Sequence, residues 1–320
     1  MIGRAWPHSR GRIAAYSTER RALNLEGAII RRSLPDESRP LVSKQRIIVT
    51  SAAPPNGNGY GTALAFDLDG HPLGIFRSDA RIADPRGLCV DPAGELLYLN
   101  SGTDRILALD ASAGIMYDSG SVPGLNPGGA NFGPDGRLYV GLRTDRSIAA
   151  FPATLAAAPE RILPADIVPF PRGFAFAPDG RLFLSSGIGP TGEGVRTIAA
   201  FSAEHTPLTL RLVDDPDLGP LDLLLAPSGD LVVASEHPFG ATEAVTTVRQ
   251  YDASTGRLVR VFRPDDSVQF HRPRGLRFGP GGNLFCVAQD EVVGFDFATG
   301  ACLGTLVRYP NLNGMALEFF

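Results

Sequence analysis

The chain has 320 residues, 43% of them hydrophobic, and carries 37 glycines and 27 prolines. That length supports a sizeable core, and so many turn residues suit one long all-β domain. The formal charge of −4 excludes a broadly basic nucleic-acid groove.

The first 45 residues stand apart. They hold nine Lys/Arg against four Asp/Glu, so the segment is about +5 and the remainder about −9. Five arginines precede Ala22, and no apolar run is long enough for a signal peptide or a membrane span. Residues 1–45 read as a basic, disordered extension, with a transit peptide or a start assigned too early as the alternatives.

From residue 46 onward the pattern is β. Residues 46–51 have the character of the second strand of a four-stranded unit, and residues 63–68 and 72–77 supply its third and fourth strands. No first strand precedes them. A repeat then begins: Pro-x-Gly, an alternating apolar run, x-Pro-x-Gly, and a run such as Leu-Tyr-Val. It occupies 85–99, 127–140, 171–184, 220–233 and 273–287, and a truncated copy closes the chain at 312–320. With Gly87, Gly129, Gly173, Asp222, Gly275 and Gly314 as register, the steps are 42, 44, 49, 53 and 39 residues. This is the period of a four-stranded propeller blade.

Within each copy, pairs such as Leu88/Val90 and Phe174/Phe176 put alternate side chains on one face of a strand. Turns such as Pro134-Asp135-Gly136 and Pro178-Asp179-Gly180 join the first strand to the second. Asp110 to Gly114, Asp252 to Gly256 and Asp296 to Gly300 supply later hairpins. The missing strand of the first unit lies at the other terminus, since residues 314–320 complete it and close the ring. The expectation is an all-β, six-bladed propeller over residues 46–320. Cys89, Cys286 and Cys302 lack metal-ligand spacing and read as buried thiols.

The run Pro85-Arg86-Gly87-Leu88-Cys89-Val90-Asp91-Pro92-Ala93-Gly94, with Leu97-Tyr98-Leu99 and Thr103 to Asp110 after it, resembles NHL repeats. It also resembles the wider six-bladed superfamily of senescence marker protein/gluconolactonase enzymes, strictosidine synthase and streptogramin lyases. The resemblance covers about residues 46–320 and is specific for fold. In function those families range from protein-binding scaffolds to metal-dependent hydrolases and lyases.

Residues just ahead of each register position should ring the channel mouth: Asn313, Arg86, Gly128, Arg172, Asp222 and Arg274. Three arginines in alternate blades would form a cationic collar for a carboxylate or phosphate. The alternative is that Pro-Arg-Gly only fills a turn and that Asp222 pairs with Arg172 and Arg274.

The gluconolactonase resemblance implies a divalent cation such as calcium. Asn313 and Asp222 match two ligand types, Glu236 is a further carboxylate, and Arg172 stands where another oxygen is expected. The lyase resemblance implies a histidine base. Only His237 and His271 fall near the mouth, and Glu236-His237 is a candidate proton-transfer dyad. Loops 52–61, 187–194 and 236–245 are long and glycine-rich, suited to a rim.

The reading is a propeller that binds a small anionic molecule or a protein segment, without a cofactor. The alternative is a gluconolactonase-like or streptogramin-lyase-like enzyme at the same channel. Whether the chain is an enzyme stays open. The chain is expected to be monomeric and cytoplasmic, without nucleic-acid or membrane partners.

Overall fold

The runs read as alternating form strands buried on both faces, since neighbours such as Leu88 and Cys89 or Phe174 and Ala175 are all buried and each sheet lies between two others. The computed structural model describes residues 46–52, 61–188 and 194–320. The extension expected over 1–45, most of loop 52–61 and the centre of loop 187–194 lie outside the described residues.

Six four-stranded antiparallel sheets follow one another along the chain. Blade 1 uses β1 (Ile47–Ser51), β2 (Thr62–Phe66) and β3 (Pro72–Ser78). Blade 2 is β4 (Leu88–Val90), β5 (Leu97–Ser101), β6 (Arg105–Leu109) and β7 (Ile115–Asp118). Blade 3 is β8 (Pro127–Phe132), β9 (Leu138–Leu142), β10 (Ser147–Phe151) and β11 (Glu160–Arg161). Blade 4 is β12 (Pro171–Phe176), β13 (Leu182–Ile188), β14 (Gly194–Phe201) and β15 (Pro207–Val213). Blade 5 is β16 (Pro220–Leu225), β17 (Leu231–His237), β18 (Val245–Tyr251) and β19 (Leu258–Phe262). Blade 6 is β20 (Pro273–Phe278), β21 (Leu284–Ala288), β22 (Glu291–Phe295) and β23 (Cys302–Arg308), and β24 (Gly314–Phe319) ends the chain.

The ring closes as expected. β24 is the innermost strand of blade 1 and pairs antiparallel with β1, Ile47 opposite Phe319 and Val49 opposite Leu317. Arg46 and Phe320 extend the ladder by exchanging backbone hydrogen bonds of 3.1 and 2.9 Å. Six apolar clusters fill the spaces between consecutive blades. One joins Ile47, Leu64 and Leu317 of blade 1 to Val287, Val292 and Val307 of blade 6. Another joins Ala175 and Phe183 of blade 4 to Leu223 and Val233 of blade 5. Each buried aliphatic or aromatic side chain contributes about 1.5–3 kcal/mol, so a blade is stable only with both neighbours in place. Among the described residues, no helix is long and apolar enough to cross a membrane.

The innermost strands share an irregularity that shapes the channel. In blades 3 to 6 the pairing with the second strand skips two residues, as between Pro171 and Phe174 or Pro220 and Leu223. Such a bulge takes backbone groups out of the ladder, and a buried polar side chain of the second strand meets the register amide in bulged blade 4 and at the equivalent positions of blades 2 and 1. Asn100 Oδ1 accepts from the Gly87 amide at 2.7 Å. Ser185 Oγ accepts from the Gly173 amide at 3.0 Å, and Thr50 Oγ1 accepts from the Ala316 amide at 3.1 Å.

These bonds define the register, and they revise one expectation. Ala316, not Gly314, is the counterpart of Gly87, because each meets the next-to-last residue of its second strand. A Cβ on Gly275 would lie 2.7 Å from the Ala316 Cα, and one on Gly173 would lie 2.7 Å from the Asp222 Cα. The inner ring is thus backbone packed on backbone, with Asp222 its largest side chain.

Candidate functional site

At the end of the channel where the second strand hands over to the third, Arg86, Arg172 and Arg274 line one cavity of about 80 Å³. Gly128, Gly129, Arg143, Gly173, Leu221, Asp222 and Met315 complete its wall. The alternate-blade placement of the arginines follows from the repeat, since each stands between the innermost strand's proline and its register glycine.

Two of the predicted ring residues move. Asn313 is not among the lining residues, and Met315 faces the cavity in its place. Asn313 has φ 43° and belongs with Asp84, Asn126, Phe170 and Arg272, at φ 33–50° just ahead of their innermost strands. Its amide donates to Asp290 Oδ1 at 3.1 Å. The Asn-Gly pair imitates the register signature, while cross-strand pairing with β1 sets the true one two residues on. Asp222 holds the register position itself, and Leu221 takes the collar position of blade 5.

The expected pairing of Asp222 with Arg172 and Arg274 is also revised. Asp222 Oδ2 accepts from the Leu276 amide at 2.8 Å and lies 3.3 Å from Arg277 Nη1. Its Oδ1 accepts from its neighbour's amide, Leu223, at 3.0 Å. Arg277, 14% exposed, reaches from blade 6 to Glu318 of blade 1 at 2.8 Å and to the Leu88 carbonyl of blade 2. One guanidinium therefore links blades 5, 6, 1 and 2 beneath the mouth. Burial raises the Asp222 carboxyl above the usual aspartate range, against the opposing pull of Arg277 and the two amides. Burial alone would lower Arg277, but the Glu318 and Asp222 carboxylates outweigh it and hold the guanidinium charged.

Arg274 pairs instead with Glu236, Nη1 to Oε2 at 2.8 Å, with the side chains 17% and 3% exposed. Glu236 Oε1 accepts from the Gly240 amide at 3.2 Å. Arg86 donates to Asn126 Oδ1 at 3.0 Å and pairs with Asp84.

The guanidinium planes are backed by aromatic rings in an alternating series. Arg143 lies 4.7 Å from the Phe170 centroid and Arg172 4.5 Å from the same ring. Arg172 is 4.8 Å from Phe239, and Arg274 is 5.5 Å from that ring. Rings between like charges stabilise each cation and fix its plane. Arg143 was not singled out in the sequence. It is the first residue past β9, as Glu236 is the counterpart position past Ser235 in β17, and it fills the space Gly128 leaves open; a Cβ there would lie 3.5 Å from the Arg143 Cγ.

The proposed Glu236-His237 dyad is not assembled. Successive strand residues face opposite ways, and the His237 ring lies 2.8 and 3.0 Å from Arg196 Nη1 while Glu236 faces Arg274. Burial, then the Arg196 charge, lowers the His237 pKa and so favours the neutral imidazole. His271 lines a second cavity with Glu236, Thr246, Arg272 and Gln289.

The mouth does not fit a divalent cation. Asp222's oxygens are occupied by two amides and a guanidinium, Asn313 is outside the lining, and four arginines converge where a hard cation needs oxygens. Among the described residues, the grouping of three acidic or histidine side chains is Asp67, Asp69 and His71, on the outer hairpin of blade 1. Cys89 and Cys286 are buried and free, and burial pushes both thiols up.

No family profile matches the chain, and no curated protein does. Solved structures do. A chain of a nidogen/laminin complex is 13% identical with a TM-score of 0.67, over 85% of this chain and 97% of that one. The chain is a six-bladed β-propeller. A streptogramin B lyase is 16% identical with a TM-score of 0.55, over 75% and 74% of the two chains. A gluconolactonase from Xanthomonas campestris is 16% identical with a TM-score of 0.56, over 82% and 86%. At these identities the likeness establishes the propeller and nothing finer.

Proposed function

We propose that this propeller binds a small anion at its channel mouth. The carrying observation is that Arg86, Arg172 and Arg274, from three alternate blades, line one cavity together with Arg143. Convergent guanidinium groups in a concave, partly desolvated site concentrate positive potential and hold oxyanions by charge-assisted hydrogen bonds. This holds locally even though residues 46–320 carry a net charge of about −9. The separation of Glu236 from His237 and the occupied Asp222 carboxylate favour binding over the hydrolase or lyase reading.

The test is a thermal-shift series with phosphate, citrate, gluconate and acetate at low and high salt. A ligand confined to the folded state adds about 2.7 kcal/mol at a hundredfold excess over its Kd. At least one anion should raise Tm in a salt-sensitive way, and the Arg86→Ala/Arg172→Ala/Arg274→Ala variant should lose that rise. If no anion stabilises the wild type, or the rise survives the triple substitution, the mouth is not an anion site.

A further inference from the structure

Resting on the reading of the mouth as an anion site, we infer that Arg143 is its anchor and that the ligand is a monocarboxylate with a flat apolar body. The four mouth arginines are not equivalent. Arg274 already faces Glu236, Arg86 already faces Asp84 and Asn126, and Arg172 is held between the Phe170 and Phe239 rings. Among the described residues no carboxylate comes within ion-pair distance of Arg143, and its Nε is buried without a hydrogen-bond partner. A buried donor left unsatisfied is costly, so a ligand oxygen that reaches it gains more than one that displaces water from an exposed site. Phe170 backs one face of the Arg143 guanidinium, which leaves its N–H edge for a carboxylate docking side-on through two parallel hydrogen bonds.

The charge of the ligand is set by what lies below. Asp222, in the cavity wall, and Glu318 share the single cation Arg277, so that cluster holds one more carboxylate than cation. Each further negative charge on a ligand is repelled by the Asp222 carboxylate in the wall, which disfavours phosphate dianions and citrate. The remaining wall is formed by Leu221, Met315 and the backbone of Gly129 and Gly173. That surface accepts a thin apolar group and offers no side-chain hydroxyl or amide for a sugar acid.

Calorimetric titration of the full chain with benzoate, acetate and inorganic phosphate tests this. Benzoate should bind more tightly than either by about tenfold, over acetate through the apolar area its ring buries and over phosphate through its single charge. Arg143→Ala should weaken benzoate by about tenfold or more, and Arg143→Lys, which keeps charge but loses the fork, should weaken it similarly. Arg211→Ala removes the same charge from the exposed outer strand of blade 4 and should leave benzoate affinity within about twofold. An unchanged unliganded Tm in Arg143→Lys shows that the loss is not unfolding.

If Arg143→Lys and Arg143→Ala retain benzoate while the Arg86/Arg172/Arg274 triple variant loses it, the anchor is misassigned and the mouth reading stands. Tighter phosphate than benzoate overturns the ligand class. Failure of every anion to bind the wild type overturns both.

Discussion

Arg277 Nε donates to Glu318 Oε2 at 2.8 Å across the boundary between the last and first blades, with the two side chains 14% and 9% exposed. The guanidinium also meets Asp222 and the Leu276 and Leu88 carbonyls, so most of its donors are occupied. Breaking a buried pair leaves an uncompensated charge. Arg277→Ala should therefore destabilise by about 3–5 kcal/mol in urea or guanidinium unfolding. A loss below about 1 kcal/mol would place these charges in water.

Asp222 acts in the same cluster through a separate bond to the Leu276 amide. Asp222→Ala should cost about 1–4 kcal/mol, and a double-mutant cycle with Arg277→Ala should show non-additivity, because the residues share one contact. Additive losses would mean that the Leu276 amide, not Arg277, carries the effect.

Ring closure rests on β24. Deleting residues 314–320 removes the partner of β1 and opens the apolar cluster that Leu317 and Phe319 share with blade 6. The truncated chain should lose cooperative unfolding altogether rather than fray. A truncation that keeps the parent's Tm would show that the other five blades hold the ring unaided.

The pH dependence has two opposed parts. Asp79 binds Arg81 through both carboxylate oxygens, at 2.9 and 2.8 Å, and Arg77 at 2.5 Å. The Arg81 hydrogen bonds hold its pKa far below the usual carboxylate range of about 3.8. Its stabilisation is present above that unfolded value and is lost as pH falls through the lower folded value. Asp79→Asn should flatten the acid limb of a Tm-versus-pH curve. Asp222, raised by burial, has the opposite sign: its contribution is full below the unfolded aspartate value and declines as pH rises through the higher folded one. Asp222→Asn should remove that decline, and an unchanged profile in both variants would place both carboxylates in solvent.

The blades, their order and the closing strand were legible in the sequence because they are written in local chemistry. Pro-x-Gly sets a turn through its own φ preferences, and period-two alternation sets a face, wherever the segment ends up. The alternate-blade arginines were legible for the same reason, since they are fixed relative to those turns. What the sequence could not determine is what depends on pairing across the ring. Asn313-Gly314 looked like the register and was displaced by the ladder of β24 with β1. Asp222 looked like the partner of Arg172 and Arg274, yet its bulged strand turns the carboxylate to Arg277 and the Leu276 amide of the next blade. Arg143 carried no signal beyond being basic and past a strand. Only closure of six blades, which brings side chains from distant segments into one narrow channel, decided which charges pair there.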